Sequence, residues 1–398
     1  MATRVLLADK LDPGAFSDLE AQGVVIDSRP ELTQATLPEH IGDAKVLVVR
    51  STKVDAAAIQ AAKELALIVR AGSGVNNIDV EAASRAGIYV ANCPGKNSVA
   101  VAELAMGLII ALDRRIADNV SDLRAGKWDK AGYSKARGLK GQRLGLVGFG
   151  AIAQEVAQRA RGFELEILAY ARTLDEATAK RHGVTRAASL EQLFRASDIV
   201  SLHVPASATT KGLITGELMD LLPEGGMLIN TSRCEVVDND ALMERAKSGR
   251  LRVGTDVFVG EPEVKSGAFE DPLGQLPHVY GTHHIGASTE QAQDEIAAAA
   301  VLAVRTFLEK GDILNAVNIA TQPPVQGTLV VRHHDRVGVL ASLLSTLRGA
   351  DINVETMENV VFEGGHAACA RIRVAQRPSQ AIVDELVAQE HVIAVELI

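Results

Sequence analysis

A chain of 398 residues is too long for a single hydrophobic core, so two or three domains are expected. Its composition is that of an ordinary globular protein, and its net charge of −9 without a basic block argues against nucleic acid or an anionic membrane as partners. The three scattered cysteines fit neither a disulfide framework nor a metal site, so we expect a cytoplasmic protein that binds no metal.

Short apolar runs alternate with segments of helical length between Arg4 and Asn92. The runs are RVLLA, GVVID, KVLVV, LALIV and GIYVA. This alternation predicts a parallel sheet with crossover helices. It also makes the start of the chain a first strand and not a signal peptide.

A long helix is predicted next, from Ser98 to Leu123, and its apolar run is too short to span a bilayer. We expect the basic loop around Trp128 that follows it to bridge two lobes. A second alternating set then extends from Gln142 to Thr282, with the strands RLGLVG, EILAY, IVSL, MLIN, RVGTDV and VYGT. This set predicts a second doubly wound sheet.

The last part of the chain predicts a separate fold. A helix, TEQAQDEIAAAAVLAVRTFLEKG, and a linker, ATQPPVQG, precede elements in the ferredoxin-like order βαββαβ. The predicted class is therefore α/β, with two doubly wound parallel sheets and a ferredoxin-like domain. The expected divisions are a flavodoxin-like substrate-binding lobe (1–97 with 289–319), a Rossmann lobe that binds NAD(P) (98–288) and the C-terminal domain (327–398).

The stretch LGLVGFGAIA carries a dinucleotide fingerprint between a strand and a helix. Gly148 permits the tight turn, and Gly150 lets a pyrophosphate approach the backbone. The helix that follows offers the free N–H groups of its first turn, at Ala151 and Ile152. Ala153 at the third glycine position is within the tolerated pattern.

The acidic residue that binds the ribose of NAD is missing from the end of the next strand, LAYART. Ala171 stands in its place and is followed by Arg172 and Thr173. A small residue followed by an arginine accommodates a 2′-phosphate, which predicts NADP or dual use. The alternative is that Arg172 stacks on the adenine or faces solvent.

Three later segments place Arg233, Glu261 and His284 after strands, where ligands bind in this fold. An arginine that clamps a carboxylate, a histidine base and a carboxylate that orients the base suffice for hydride transfer from a hydroxy acid. Each residue alone has an ordinary explanation, such as an ion pair between Arg233 and Asp238.

The segments VRSTKV, RAGSGVNNIDV, GKW, GLVGFGAIAQEVA, SDIVSLHVP, INTSR, DVFVGEP and HIGAST resemble the D-isomer-specific 2-hydroxyacid dehydrogenases, and the resemblance covers nearly the whole chain. It implies that Arg233 binds the substrate carboxylate, that His284 removes the hydroxyl proton and that Glu261 holds His284 in its tautomer. It implies that Asp256 meets the nicotinamide carboxamide. The further cofactor contacts that it implies are His203, Val204, Pro205, Thr231, Ser232 and Gly286, and the substrate contacts are Arg50, Arg70, Ser73, Gly74 and Asn97.

Three positions depart from the family pattern. Cys234 stands where glycine is usual, His283 where proline is usual and Asn76 where aspartate is usual. The adjacent histidines make two candidates for the base. We assign the role to His284 because it directly precedes IGAST.

The C-terminal domain resembles an ACT domain, a regulatory module that commonly binds amino acids. Serine-sensitive members of the family hold the effector with a histidine and two asparagines. His333 and Asn353 match two of these, whereas Asp335 replaces the third and Val337 replaces the usual proline. We expect L-serine or another amino acid as the effector; the alternative is a domain kept only for oligomerisation.

Within the family, the resemblance implies oxidation of 3-phospho-D-glycerate at C2, the first step of L-serine synthesis, with hydride transfer to NAD(P). The alternative is an NADPH-dependent reductase of glyoxylate or hydroxypyruvate, which LAYART favours and the ACT-like tail disfavours. The implied assembly is a homodimer through the central helices or a homotetramer through the tail.

Overall fold

The computed structural model describes residues 2–11, 13–262, 266–320 and 324–398. The chain separates into two compact units, Met1–Asn318 and Ile319–Ile398. Part of the expected linker ATQPPVQG, residues 321–323, lies outside the described residues. Both expected lobes lie inside the first unit, so the boundaries between them stay a prediction.

The first unit begins with a five-stranded parallel sheet in the order β2-β1-β3-β4-β5. This is the flavodoxin-like order, as expected. Helices cover both faces, which is why a strand such as VLVV is buried along its whole length. The strands are β1 (Arg4–Leu7), β2 (Val25–Ser28), β3 (Val46–Val49), β4 (Leu67–Arg70) and β5 (Tyr89–Asn92), and the helices are α1 (Ser17–Ala21), α2 (Leu37–Ile41), α3 (Ala56–Ala61) and α4 (Val80–Arg85).

A second parallel sheet has seven strands in the order β12-β11-β10-β9-β6-β7-β8. This is the Rossmann order with one further strand at an edge. The sequence pattern does not predict β8, because its two residues are exposed and form no apolar run. The strands are β6 (Arg143–Val147), β7 (Glu166–Tyr170), β8 (Thr185–Arg186), β9 (Ile199–Leu202), β10 (Gly226–Asn230), β11 (Leu251–Thr255) and β12 (Val279–Gly281).

The prediction of one helix from Ser98 to Leu123 is wrong. Two helices, α5 (Ser98–Arg114) and α6 (Ile116–Arg124), are separated by Arg115, whose backbone is left-handed with φ of 50°. Helix α5 is held by packing against α8 (Ala151–Arg161) and the second sheet, whereas α6 buries no residue in the chain. Because this packing ends with α5, the chain is free to change direction there. The remaining helices of the second sheet are α7 (Lys130–Tyr133), α9 (Glu176–Arg181), α10 (Leu190–Arg195), α11 (Gly216–Met219) and α12 (Asn239–Lys247).

Helix α13 (Glu290–Lys310) returns the chain to the first sheet, as predicted. Thr289 caps it by accepting the N–H of Ala292 at 3.1 Å, and Gly311 ends it in a left-handed conformation. Ile296 and Val304 of this helix pack in the same core as the β1 and β3 side chains.

The second unit is a four-stranded antiparallel sheet in the order β14-β15-β13-β16, with the predicted βαββαβ succession. Its apolar core joins one face of the sheet to both helices. The elements are β13 (Gly327–His334), α14 (Val339–Gly349), β14 (Val354–Val361), β15 (Ala367–Val374), α15 (Gln380–Val387) and β16 (Val392–Leu397). Over the described part of the chain, no helix is both long and apolar enough to cross a membrane.

Candidate active site

The glycine turn lies at the carboxyl end of β6. Gly148 has a φ of 87°, and a Cβ there would overlap the carbonyl oxygen of His203, so no other residue fits. Gly150 is the N-cap of α8, and the space where its Cβ would stand is open. The first N–H groups of the helix, at Ala151 and Ile152, are the ones an α-helix leaves without intrahelical partners. Ala153 is fully buried in the core beneath the turn.

Neighbouring strands end in further polar groups at the same edge. Thr231 and Ser232 follow β10, and Asp256 follows β11. Thr231 is 8% exposed, and its Oγ1 is buried without a hydrogen-bond partner among the described residues. Buried hydroxyl groups are nearly always hydrogen-bonded. An open glycine turn, a helix N-terminus and an orphaned hydroxyl on one edge fit a bound dinucleotide.

The expected adenosine contacts lie along the same edge. Arg172 and Thr173 are exposed just after β7, and Arg172 has no hydrogen-bond or ion-pair partner among the described residues. His203, at the end of β9, precedes Val204 and Pro205, and its Nε2 lies 2.9 Å from the Ser201 Oγ. Burial lowers the pKa of His203 to about 4, so its imidazole is neutral at neutral pH.

His284 and Glu261 form a hydrogen-bonded pair. The Nδ1–H of His284 donates to Glu261 Oε2 at 2.6 Å, and the Phe258 N–H donates to Glu261 Oε1 at 2.7 Å. The bond to Glu261 raises the pKa of His284 against the opposing effect of burial. Burial opposes ionisation of Glu261, but the hydrogen bonds from His284 and Phe258 lower its pKa overall. The pair fixes the tautomer in which His284 Nε2 carries a lone pair.

A buried aspartate holds the turn on which His284 lies. His284 has a φ of 52°, an uncommon conformation for a residue with a side chain. Asp256 is 1% exposed and accepts from Thr282 Oγ1 at 2.6 Å, the Ile285 N–H at 2.9 Å and the Gly286 N–H at 2.7 Å. These bonds fix the chain on both sides of His284 and stabilise its uncommon backbone conformation. Sequence reasoning missed this contact, and the nicotinamide contact of Asp256 stays a prediction.

Three arginines converge on a cavity of about 250 Å³. Arg50 follows β3, Arg70 ends β4, and Arg233 comes from the loop after β10. Burial, followed by the charges of Arg233 and Arg50, lowers the pKa of Arg70, and its Nε has no partner among the described residues. None of these three arginines forms an ion pair with a carboxylate of the described residues. Half-buried cations that converge without an ion-paired carboxylate suit an anionic ligand.

The turn of residues 72–75 packs between two of these arginines. A Cβ on Gly72 would overlap the Arg70 guanidinium, and a Cβ on Gly74 would lie 3.3 Å from Arg233 Nη2. Ser73 donates its hydroxyl to Asn97 Oδ1 at 2.9 Å, which ties the turn to the start of α5. The structure therefore brings all five predicted substrate residues to one region.

The geometry does not match an ion pair between Arg233 and Asp238, nor His283 as the base. Asp238 caps α12 by accepting the Ala241 N–H at 3.0 Å and is not paired with Arg233, whose Nη1 donates to the Ser232 carbonyl at 2.7 Å. His283 is exposed and makes no hydrogen bond among the described residues, so Glu261 orients only His284. The described residues contain no cluster of three or more His, Cys, Asp or Glu that could hold a metal ion.

Cys234 lies beside Arg233 and donates its thiol to Glu235 Oε2 at 3.3 Å. Burial and the Glu235 carboxylate raise its pKa to about 11. The thiol is therefore protonated at neutral pH and is a poor nucleophile.

The predicted effector residues are not brought together within one chain. His333 is 2% exposed, with Nδ1 2.8 Å from the His334 carbonyl oxygen and Nε2 3.1 Å from Asn359 Oδ1. Asp335 is exposed just beyond it. Asn353 lies at the opposite end of the sheet. Ala368 of β15 pairs with His333 on one side and with Val361, the last residue of β14, on the other, whereas Asn353 precedes the start of β14. At about 3.3 Å per residue the two ends are more than about 20 Å apart.

Comparison with known proteins finds a family model and several relatives. Residues 106–286 match the family model "D-isomer specific 2-hydroxyacid dehydrogenase, NAD binding domain". A D-3-phosphoglycerate dehydrogenase from Methanocaldococcus jannaschii is 38% identical over 80% of this chain, which spans only 60% of that relative's length. A hydroxypyruvate reductase from Thermotoga maritima is 40% identical over 77% of this chain and 98% of its own.

Among solved structures, the NAD⁺-bound 3-phosphoglycerate dehydrogenase of Entamoeba histolytica is similar with a TM-score of 0.66 and 29% identity, over 80% of this chain and 99% of that one. The residues that match the family model include the glycine turn, Arg233, Glu261 and His284. The chain therefore belongs to the D-isomer specific 2-hydroxyacid dehydrogenases.

Proposed function

We propose that this chain oxidises 3-phospho-D-glycerate to 3-phosphooxypyruvate with NAD(P), as the first step of L-serine synthesis. The observation that carries the proposal is the cavity with Arg50, Arg70 and Arg233, whose lining contains no carboxylate among the described residues. A phosphorylated hydroxy acid carries two anionic groups, a carboxylate and a phosphate. Three converging guanidinium groups suit such a ligand better than a substrate with one carboxylate.

We propose a task for each polar group. Arg233 binds the substrate carboxylate, and Arg50 with Arg70 binds the phosphate. His284 Nε2, which has no hydrogen-bond partner among the described residues, accepts the C2 hydroxyl proton, and Glu261 stabilises the resulting imidazolium. The glycine turn at Gly148 and Gly150 would hold the nicotinamide dinucleotide, which would supply the hydride acceptor for C2.

The raised pKa of His284 predicts the pH dependence of the reaction. Oxidation requires neutral His284, so kcat/KM falls as the pH drops below that raised pKa. E261Q removes the carboxylate that raises this pKa, so the acidic limb moves to lower pH while the maximal rate declines. The measurement is the pH profile of kcat/KM for both proteins. An acidic limb at the same pH in both would contradict the pairing.

A steady-state assay tests the proposed substrate. Purified protein is given 3-phosphoglycerate with NAD or NADP and, separately, hydroxypyruvate or glyoxylate with NADPH. Turnover of 3-phosphoglycerate with a kcat/KM at least tenfold above that for unphosphorylated D-glycerate is expected, since Arg50 and Arg70 contribute charge-assisted hydrogen bonds of about 1.5–3 kcal/mol. Activity on the small oxo acids alone would overturn the proposal.

Activity on the small oxo acids alone would favour a hydroxypyruvate reductase. The supporting observation is the similarity to the Thermotoga maritima reductase, of which this chain covers 98%. The chemistry of Arg233, Glu261 and His284 is the same in this case, with His284 donating its proton to the carbonyl oxygen. The two functions therefore differ in substrate and direction only.

For the cofactor we propose use of NADP, or of both nucleotides, through Arg172. Arg172 is exposed without a partner among the described residues, and Ala171 leaves no carboxylate to bond the ribose. R172A is expected to raise the KM for NADP about tenfold or more, because a charge-assisted hydrogen bond is lost, with little effect on NAD. K247A, at an exposed site beyond the amino edge of the sheet, is the control. Equal effects of R172A on both nucleotides would contradict the proposal.

The proposed partners are an amino-acid effector and a second copy of the chain. L-Serine at millimolar concentration is expected to inhibit, and because His333 and Asn353 lie apart in one copy, two copies would have to build the site. Helix α6 buries no residue, and Trp128 beyond it is 81% exposed, which suits an interface between copies. Activity with and without serine tests the effector, and sedimentation tests the assembly. A monomer that serine does not inhibit would overturn both proposals.

A further inference from the structure

We propose that Asp9 is a positioning residue that shapes the phosphate-binding turn of residues 50–52. The proposal rests on the proposed function, because it concerns the same anionic pocket. Asp9 follows β1, and Arg50 follows β3, the neighbouring strand of the sheet. Asp9 is 8% exposed, and its Oδ2 accepts three consecutive backbone N–H groups, from Arg50 at 2.7 Å, Ser51 at 3.0 Å and Thr52 at 3.0 Å.

These bonds fold the chain around one oxygen atom. Three successive N–H groups form a concave site for an anion, and here the anion is a side chain of the protein itself. The Thr52 hydroxyl donates to the Ala8 carbonyl at 2.9 Å, and Asn77 Nδ2 donates to the Thr52 carbonyl at 2.8 Å. The turn is thereby fixed on one side by the end of β1 and on the other by the loop that follows β4.

The fixed turn determines where Arg50 reaches. Arg50 and Ser51 line the cavity, together with Arg70 and Arg233. Asp9 does not line the cavity and makes no ion pair with any of these arginines among the described residues. A carboxylate inside the cavity would pair with the guanidinium groups, whereas Asp9 orders the backbone of Arg50. The charge of Asp9 only partly offsets the effects that lower the pKa of Arg70.

The catalytic groups belong to other strands. Arg233, Glu261 and His284 follow β10, β11 and β12 of the second sheet. Loss of Asp9 is therefore expected to weaken binding of a phosphorylated substrate without slowing hydride transfer.

The test compares D9A and D9N with the wild type in steady-state assays of 3-phosphoglycerate oxidation and hydroxypyruvate reduction. D9A is expected to raise the KM for 3-phosphoglycerate about tenfold or more, because hydrogen bonds to a charged acceptor are lost, with kcat nearly unchanged. D9N keeps an acceptor oxygen without the charge and is expected to be intermediate. The KM for hydroxypyruvate, which has no phosphate, stays close to that of the wild type.

D198N is the matched control, because Asp198 is a buried carboxylate that accepts the Arg143 N–H at the opposite edge of the second sheet. It is expected to lower the melting temperature without changing either KM. If D9A does not fold, D9N decides. An unchanged KM for 3-phosphoglycerate, or a proportional loss of kcat on both substrates, would overturn the role of Asp9.

Failure of the proposed function gives a different result, namely a wild type inactive on 3-phosphoglycerate. The probe is then inorganic phosphate as an inhibitor of hydroxypyruvate reduction. A higher inhibition constant in D9N and D9A still supports the role of Asp9, and an unchanged constant overturns it.

Discussion

H284N is expected to lower kcat by about 10²–10⁴-fold, the usual contribution of a general acid or base. Only His284 has its Nδ1 paired with Glu261, at 2.6 Å, and this pairing leaves Nε2 in the form that accepts a proton. Asparagine keeps a polar side chain at a position with a φ of 52°, where asparagine is well tolerated, so the fold is retained. The rate of hydride transfer under saturating substrate measures the loss.

H283N is the control for this experiment. His283 precedes His284 directly, is exposed and lacks a hydrogen bond among the described residues. Its replacement is expected to leave kcat within about threefold of the wild type, since it takes no part in proton transfer. A large loss in H283N with activity kept in H284N would exchange the two assignments.

The sequence predicts the sheets well because each parallel strand is buried on both faces. A strand such as VLVV is a continuous apolar run that is buried along its whole length, and such a run is recognisable in the sequence. Two predictions failed, the missed strand β8 and the single helix from Ser98 to Leu123, and both failures lie where no continuous apolar run marks the structure. β8 has two exposed residues, and the break at Arg115 falls where burial of α5 ends, a feature of tertiary packing that helical periodicity does not contain.

The candidate site likewise contains residues that the sequence marks and contacts that only tertiary packing creates. Arg233, Glu261 and His284 have side chains of types that suit acid–base and anion-binding chemistry, and they follow strands, so residue type and position are enough to predict them as candidates. Asp9 and Asp256 act on backbone N–H groups that are 41 and 29 or more residues away in sequence. No motif marks such a contact, because the partner is a main-chain group present at every position. Only the fold shows which carboxylate meets which turn.

R233K is expected to lower kcat/KM by about 10–100-fold, because a charge-assisted hydrogen bond to the substrate carboxylate is worth about 1.5–3 kcal/mol. The Nη1 of Arg233 is fixed by the Ser232 carbonyl at 2.7 Å, and Nη2 lies beside Gly74, so the planar group would meet the proposed substrate carboxylate in one orientation. A lysine keeps the charge but offers no bidentate fork.

R50K is the matched comparison within the same cavity. Lysine binds phosphate well as a point charge, so R50K is expected to cost about tenfold or less in kcat/KM, mostly through KM. The difference between the two variants thus reports which arginine meets the planar carboxylate and which meets the phosphate. Equal losses in kcat/KM would mean that the ligand does not bind with its carboxylate on Arg233. A larger loss in R50K would mean that the carboxylate binds Arg50 and the phosphate binds Arg233.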